Sequence, residues 1–202
     1  MTKYKVTNPA TGQVEKEFPE HTDEQLTQMI DQAAETFATW SATTAQERAT
    51  LLNTVADIYE RRTDELAEII GREMGKPVKQ ARGELGIVVD IYRYYAKNGP
   101  TYLENEPVED TKSGSAYVQN EPYGVLLGIM PWNFPYYQVA RFAAPNLMIG
   151  NTVLLKHAPI CPESAQAMED IFQEAGFPTG AYTNIYASNE QVADIIIPSP
   201  HV

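Results

Sequence analysis

The apolar positions along this chain are spaced first for helices and then for an alternation of strands and helices. Residues 6–18 read as a short extended segment, broken by a turn signal at Asn8–Pro9–Ala10–Thr11–Gly12. Leu26, Met29, Ile30, Ala33, Ala34 and Phe37 then recur at helical spacing. Thr22 and Gln25 stand before them at the capping-box separation. Thr44 and Glu47 repeat that signature and introduce Leu51, Leu52, Val55, Ile58 and Tyr59. Leu66, Ile69, Ile70 and Met74 predict a third helix, stopped near Gly75 and Pro77. Leu85, Val88, Val89, Tyr92 and Tyr95 predict a fourth, ending at Asn98–Gly99–Pro100. Residues 1–102 thus read as a helical layer with polar outer faces.

Composition shifts in residues 103–122, read as an extended linking or oligomerisation segment. Residues 104–112 are acidic without a clear period, Ser113–Gly114 signals a turn, and 115–120 (SAYVQN) alternate weakly like an exposed strand. Such an edge can pair within the chain or across a homo-oligomer. From residue 123 the pattern is regular: strand 124–130, helix 136–149 closed by Gly150, strand 152–156 (TVLLK). A helix opened by Pro162 follows, with Ala165, Met168, Ile171, Phe172 and Ala175 inward and Gly176 at its end. A third strand covers 181–187, and Ser188 with Gln191 caps a short helix ending near Ile197. Alternation of this kind predicts an α/β fold: a helical layer plus the first half of a Rossmann-like parallel sheet, in residues 123–202. Half a doubly wound sheet points to a piece of a longer protein.

Charge and cysteine usage narrow the classes. The 202 residues carry a net charge of −12, which argues against nucleic acid and anionic membrane as partners. The opening MTKYKVTNPATGQ lacks the apolar stretch of a signal peptide, and no apolar run approaches the roughly 20 residues of a membrane span. The one cysteine, Cys161, rules out an internal disulfide, and cytoplasmic residence is expected.

Candidate chemistry collects at the end of the first regular strand. The stretch Pro131–Trp132–Asn133–Phe134–Pro135 sits between that strand and its helix, where open α/β sheets bind ligands. Asn133 offers a neutral amide donor suited to a developing oxyanion, with Trp132, Phe134, Tyr136 and Tyr137 as aromatic walls. The plain alternative is a proline-rich turn with core aromatics. Lys156 ends an apolar strand and can donate to ribose hydroxyls or a phosphate, or be a solvated strand end. Gln138 and Arg141 stand three apart and can reach the same crevice, where a guanidinium fork suits a carboxylate. An ordinary solvated arginine is the alternative. His157 and Cys161 are not read as a catalytic pair, because two prolines make the segment between them extended. No G-x-G-x-x-G follows the first strand, and no metal-ligand spacing is present.

The pieces NPATGQV, EMGKP, EPYGVLLGIMPWNFP and GNTVLLKHAP, in this order, resemble the N-terminal part of the aldehyde dehydrogenase superfamily, and within it the succinate-semialdehyde dehydrogenase branch. The resemblance covers essentially the whole chain. It implies oxidation of an aldehyde to an acid with NAD or NADP, and dimers or tetramers. It matches Asn133 to the oxyanion-stabilising amide and Lys156 to the adenosine-ribose ligand, with His157 beside it in the cofactor set. Ile129, Met130, Pro131 and Trp132 match the segment running along the cofactor. Arg141, with Gln138, matches the site of the substrate's distal carboxylate. Two departures stand out. The family's catalytic cysteine and glutamate are expected beyond residue 202, which implies that this piece alone is inactive. Pro159 stands where NAD-preferring members carry a glutamate, which leaves NADP open. Another aldehyde, or a non-catalytic nucleotide-binding or assembly role, remains the alternative.

Overall fold

The computed structural model describes residues 3–109 and 113–202. Residues 110–112 of the linking segment lie outside the described part. Strands β1 (Lys5–Thr7) and β2 (Val14–Glu17) form an antiparallel hairpin whose turn is held by Ala10 N donating to Asn8 Oδ1 at 2.9 Å. Helices α1 (Asp23–Trp40) and α2 (Ala45–Arg61) each open on the expected capping box, from Thr22 and Thr44. Helix α3 (Thr63–Met74) ends where Gly75 takes a left-handed φ of 73°, and α4 (Val78–Tyr102) follows Pro77. Strands β3 (Glu106–Pro107) and β4 (Tyr117–Val118) make a minimal exposed ribbon.

The rest is the predicted alternation: β5 (Val125–Ile129), α5 (Pro135–Ile149), β6 (Thr152–Lys156), α6 (Pro162–Glu174), β7 (Tyr182–Asn184) and α7 (Asn189–Gln191). A π-helical turn, Val192–Ile196, continues α7. The three strands are parallel in the order β5-β6-β7. The register pairs Ile129 with Lys156 and Leu155 with Asn184, so the carboxyl ends of all three strands stand nearly level.

All five residues of β6 are buried, because helices cover both faces of the sheet. Leu154 packs with Leu26 and Ile30 of α1 and with Val192 and Ile196. Val153 and Leu155 face the larger core, shared by α2, α4, α5 and α6. The N-terminal helices therefore flank the sheet, α1 on one face and α2–α4 stacked beyond α5 and α6 on the other.

Local readings differ from the structure at four places. Helix α4 does not stop at Asn98–Gly99–Pro100 but runs on to Tyr102. A Cβ on Gly99 would collide with Met148 of α5, so this glycine permits a close helix crossing rather than ending the helix. The strand expected over 115–120 shrinks to Tyr117–Val118, and that over 181–187 to Tyr182–Asn184. In both, single backbone bonds reach past the paired residues, Val108 N to the Ala116 carbonyl and Ile185 N to the Leu155 carbonyl, without extending the ladder. Tyr136 does not wall the crevice: it is fully buried, edge-on to Tyr59.

Candidate functional site

The strand–loop–helix junction after β5 is held from outside itself. Met130 N donates to the Lys156 carbonyl at 3.0 Å, which carries the β5–β6 pairing one residue beyond the strand. The next four residues, Pro131, Trp132, Asn133 and Phe134, are exposed, and Pro135 starts α5, where a missing N–H costs nothing. Phe134 cannot cap that helix. Glu84 of α4 does so instead: its Oε1 accepts from Tyr136 N at 2.9 Å and Tyr137 N at 3.1 Å. The other carboxylate oxygen pairs with Lys76. The Lys76 ammonium in turn donates to the Asn133 carbonyl at 2.7 Å and lies 4.0 Å from the Phe134 ring centre. The Asn133 backbone is thereby fixed, while its side chain is left exposed at the loop.

Helix α6 starts by the same device. Its N-cap, Cys161, makes no side-chain cap bond. Glu73 of α3 takes that role, accepting from Glu163 N at 2.6 Å, Ser164 N at 3.1 Å and the Ser164 hydroxyl. Burial pushes the Glu73 carboxyl up to about 7, with the three donors pulling the other way.

His157 is buried and belongs to the frame of the site. Ala158 N donates to its Nδ1 at 2.8 Å, so Nε2 carries the proton and donates to the Pro135 carbonyl at 3.0 Å. That bond ties the end of β6 to the start of α5. Burial lowers its pKa to about 4 and keeps the ring neutral. Cys161 is buried as well, its Sγ 3.9 Å from the Trp132 carbonyl oxygen. Burial, with Glu73 and Glu84 nearby, raises its pKa and makes it a thiol rather than a thiolate.

Lys156 is not a solvated strand end: the residue is only 6% exposed. Its Nζ lies 5.9 Å from the Tyr4 ring centre, and none of the salt bridges among the described residues involves it. Burial lowers its pKa. A buried cation without a paired anion, level with the strand ends, fits a phosphate or ribose ligand. Ile129, the register partner of Lys156, is 57% accessible; Met130 after it is half-buried, and Pro131 and Trp132, the latter 52% accessible, expose apolar surface at the loop.

Arg141 opens onto a separate groove of about 570 Å³, lined with Ile87, Asp90, Ile91, Tyr94, Tyr95 and Tyr137. Asn133 is not among the lining residues, so the loop amide and the guanidinium do not share one wall. Tyr137 links them: its ring is edge-on to Phe134 at 6.0 Å and lies 5.4 Å from the Arg141 guanidinium. Gln138, half-buried, starts the same turn and does not line the groove. Among the described residues no helix is long and apolar enough to cross a membrane, and no cluster of His, Cys, Asp and Glu could hold a metal ion.

Sequence reasoning missed Glu73, Lys76 and Glu84. A signal was present. Glu73 continues the buried stripe Leu66, Ile69, Ile70, and Glu84 sits between Ala81, Leu85 and Val88. A carboxylate on the apolar face of a helix needs a buried partner, and in both cases the partner is the start of another helix.

The aldehyde dehydrogenase family matches residues 1–202. The chain is 45% identical over 188 residues to an NADP(+) succinate-semialdehyde dehydrogenase of Deinococcus radiodurans, covering 93% of this chain and 39% of that protein. It is 40% identical over 192 residues to the corresponding Mycobacterium avium protein, covering 94% and 41%. The crystal structure of succinic semialdehyde dehydrogenase from Streptococcus pyogenes with NADP+ superposes with a TM-score of 0.94 at 39% identity, over 98% of this chain and 44% of that one. The chain thus spans less than half the length of the relatives it matches. From its sequence and its fold alike, this chain belongs to the aldehyde dehydrogenase family.

Proposed function

We propose that these residues form the dinucleotide-binding and oxyanion-stabilising part of an enzyme that oxidises succinate semialdehyde to succinate with NADP or NAD. The observation that carries this reading is the pairing of two features at the carboxyl ends of neighbouring strands: the buried ammonium of Lys156, in no salt bridge among the described residues, and the exposed Asn133 loop that Lys76 and Glu84 hold in place. Lys156 binds the adenosine ribose, and residues 129–132 run beside the dinucleotide, with His157 supporting them from beneath. A dinucleotide held there would supply the hydride acceptor. The Asn133 amide donates to the substrate oxygen as negative charge develops there, and its fixed backbone removes the cost of ordering it during reaction. Arg141 receives the distal carboxylate, with Gln138 nearby. Residues 1–102, 103–122 and 123–202 act as helical support, assembly segment and cofactor-binding half of a homo-oligomer.

The 202 residues alone do not turn over aldehyde. Covalent catalysis needs a thiolate, and the one cysteine here is a buried thiol. The relatives' names, which specify NADP(+) and succinate semialdehyde, support the choice of cofactor and substrate. Calorimetric titration of the chain with NADP and NAD tests the first half of the reading. Lys156→Ala is expected to weaken binding by about 1–3 kcal/mol, the range for a hydrogen bond to a charged group. Aldehyde-dependent formation of reduced dinucleotide, assayed on this chain and on a longer one carrying the family's cysteine and glutamate, tests the second. Turnover by the 202 residues alone, or unchanged dinucleotide affinity in Lys156→Ala, would overturn it.

A further inference from the structure

The N-terminal hairpin lays two opposite charges beside Lys156. Lys5 N in β1 donates to the Pro159 carbonyl at 3.4 Å, which seats the hairpin on the loop that follows β6. Phe18 N donates to the Tyr4 carbonyl at 2.9 Å and closes the hairpin around Tyr4. Tyr4 is buried, its hydroxyl donates to the Ala187 carbonyl at 2.8 Å, and its ring is the surface that the Lys156 ammonium faces. One residue earlier stands Lys3, exposed, and its backbone N–H donates to Glu20 Oε1 at 3.4 Å. Lys3 and Glu20 therefore meet next to Tyr4, whose ring lies under Lys156. Both charges reach the ammonium: beyond the effect of burial, Lys3 makes Lys156 easier to deprotonate and Glu20 makes it harder. Pro159, in the loop that follows β6, brings no polar side chain and no backbone N–H.

We propose that Lys3 and Glu20 form a lip that reads the 2′ substituent of the adenosine ribose held at Lys156, Glu20 opposing a 2′-phosphate and Lys3 attracting it. This rests on the dinucleotide reading above. The physical basis is charge. A phosphate monoester carries roughly −1.5 to −2 at neutral pH, whereas a ribose hydroxyl carries none. Each lip charge therefore acts on one cofactor and nearly ignores the other. Because Lys3 is exposed and Glu20 partly so, each effect is modest and screened by salt.

The test needs no turnover. The 202-residue chain and its Glu20→Gln and Lys3→Gln variants are titrated calorimetrically with 5′-AMP and with adenosine 2′,5′-bisphosphate. Glu20→Gln keeps an acceptor for Lys3 N–H and removes only the charge. The ratio of bisphosphate to AMP affinity is expected to rise roughly three- to tenfold in Glu20→Gln and to fall by a similar factor in Lys3→Gln. Both shifts should shrink in about 0.5 M salt. If wild type binds both probes and neither ratio moves, or if both affinities change together, the lip is overturned and the dinucleotide site stands. If wild type binds neither probe, the site and the lip fall together.

Discussion

Lys76 and Glu84 meet beneath the Asn133 loop as an ion pair whose side chains are 7% and 1% exposed. Each also serves the loop directly, Lys76 through the Asn133 carbonyl and Glu84 through the first two N–H groups inside α5. Breaking a buried pair leaves an uncompensated charge, which costs far more than the pair contributes in net terms. Glu84→Ala is predicted to destabilise the chain by about 3–5 kcal/mol, and Lys76→Met by less, because Glu84 keeps its two amide donors. Urea unfolding of the single and double variants measures this. A Glu84→Ala cost under about 1 kcal/mol, or a double-mutant coupling near zero, would mean the pair does not brace the loop.

Glu73 predicts a pH effect. Its folded pKa of about 7 lies above its ordinary value of 4.5. A carboxyl raised on folding contributes stability that is complete below about pH 4.5 and is lost as pH rises through 7, by roughly 3 kcal/mol at most. His157 runs the other way: its lowered pKa contributes stability above 6.5 that is lost as pH falls toward 4. The slope of the whole protein mixes these, so the informative quantity is the difference between wild type and Glu73→Gln. Wild type should lose stability relative to the variant between pH 5 and pH 8 in denaturant titrations. Parallel curves would show that the three donors already hold Glu73 ionised throughout.

At Gly99, propensity and packing oppose each other. In an exposed helix interior, glycine to alanine gains about 1 kcal/mol. Here the new methyl would meet Met148 Sδ at 2.8 Å and its Cγ closer still. Gly99→Ala is therefore predicted to destabilise by about 1–3 kcal/mol, the usual cost of overpacking. In a Met148→Ala background the same change should become stabilising. Thermal or urea melts of the four proteins decide it, and a stabilising Gly99→Ala in the wild-type background would refute the close crossing.

Arg141 carries the substrate prediction. Among the described residues lining its groove it is the one cation, and the only other charge is Asp90. In a longer, active chain, Arg141→Ala is expected to raise KM for succinate semialdehyde roughly 10- to 100-fold while leaving butanal nearly unchanged. The measurement is the ratio of kcat/KM for the two aldehydes. Equal losses for both would make Arg141 a packing residue, held by its contact with Tyr137.

Much of this was legible without coordinates. Thr22, Thr44 and Ser188 announced their helices because a capping box is local, made by residues three apart. The β5–α5–β6–α6 order was legible because apolar period and glycine stops are local too. Gly99 misled for the same reason. As a sequence signal it stands beside a proline and looks like a helix end, whereas what it answers to is Met148, distant in the chain.

The sequence by itself determined the main elements, the parallel sheet and the strand–loop–helix junction after β5, since period, caps and turn residues act over a few positions. Tertiary structure alone decided what holds that junction. Glu84 lies 52 residues from the amide it caps, and Glu73 lies 91 from Ser164. It also decided that Arg141 opens onto a groove of its own and that Lys156 is buried against Tyr4. Those facts depend on which helix faces crowd out water, and a side chain's ionisation and reach follow from that surrounding rather than from its neighbours in the chain.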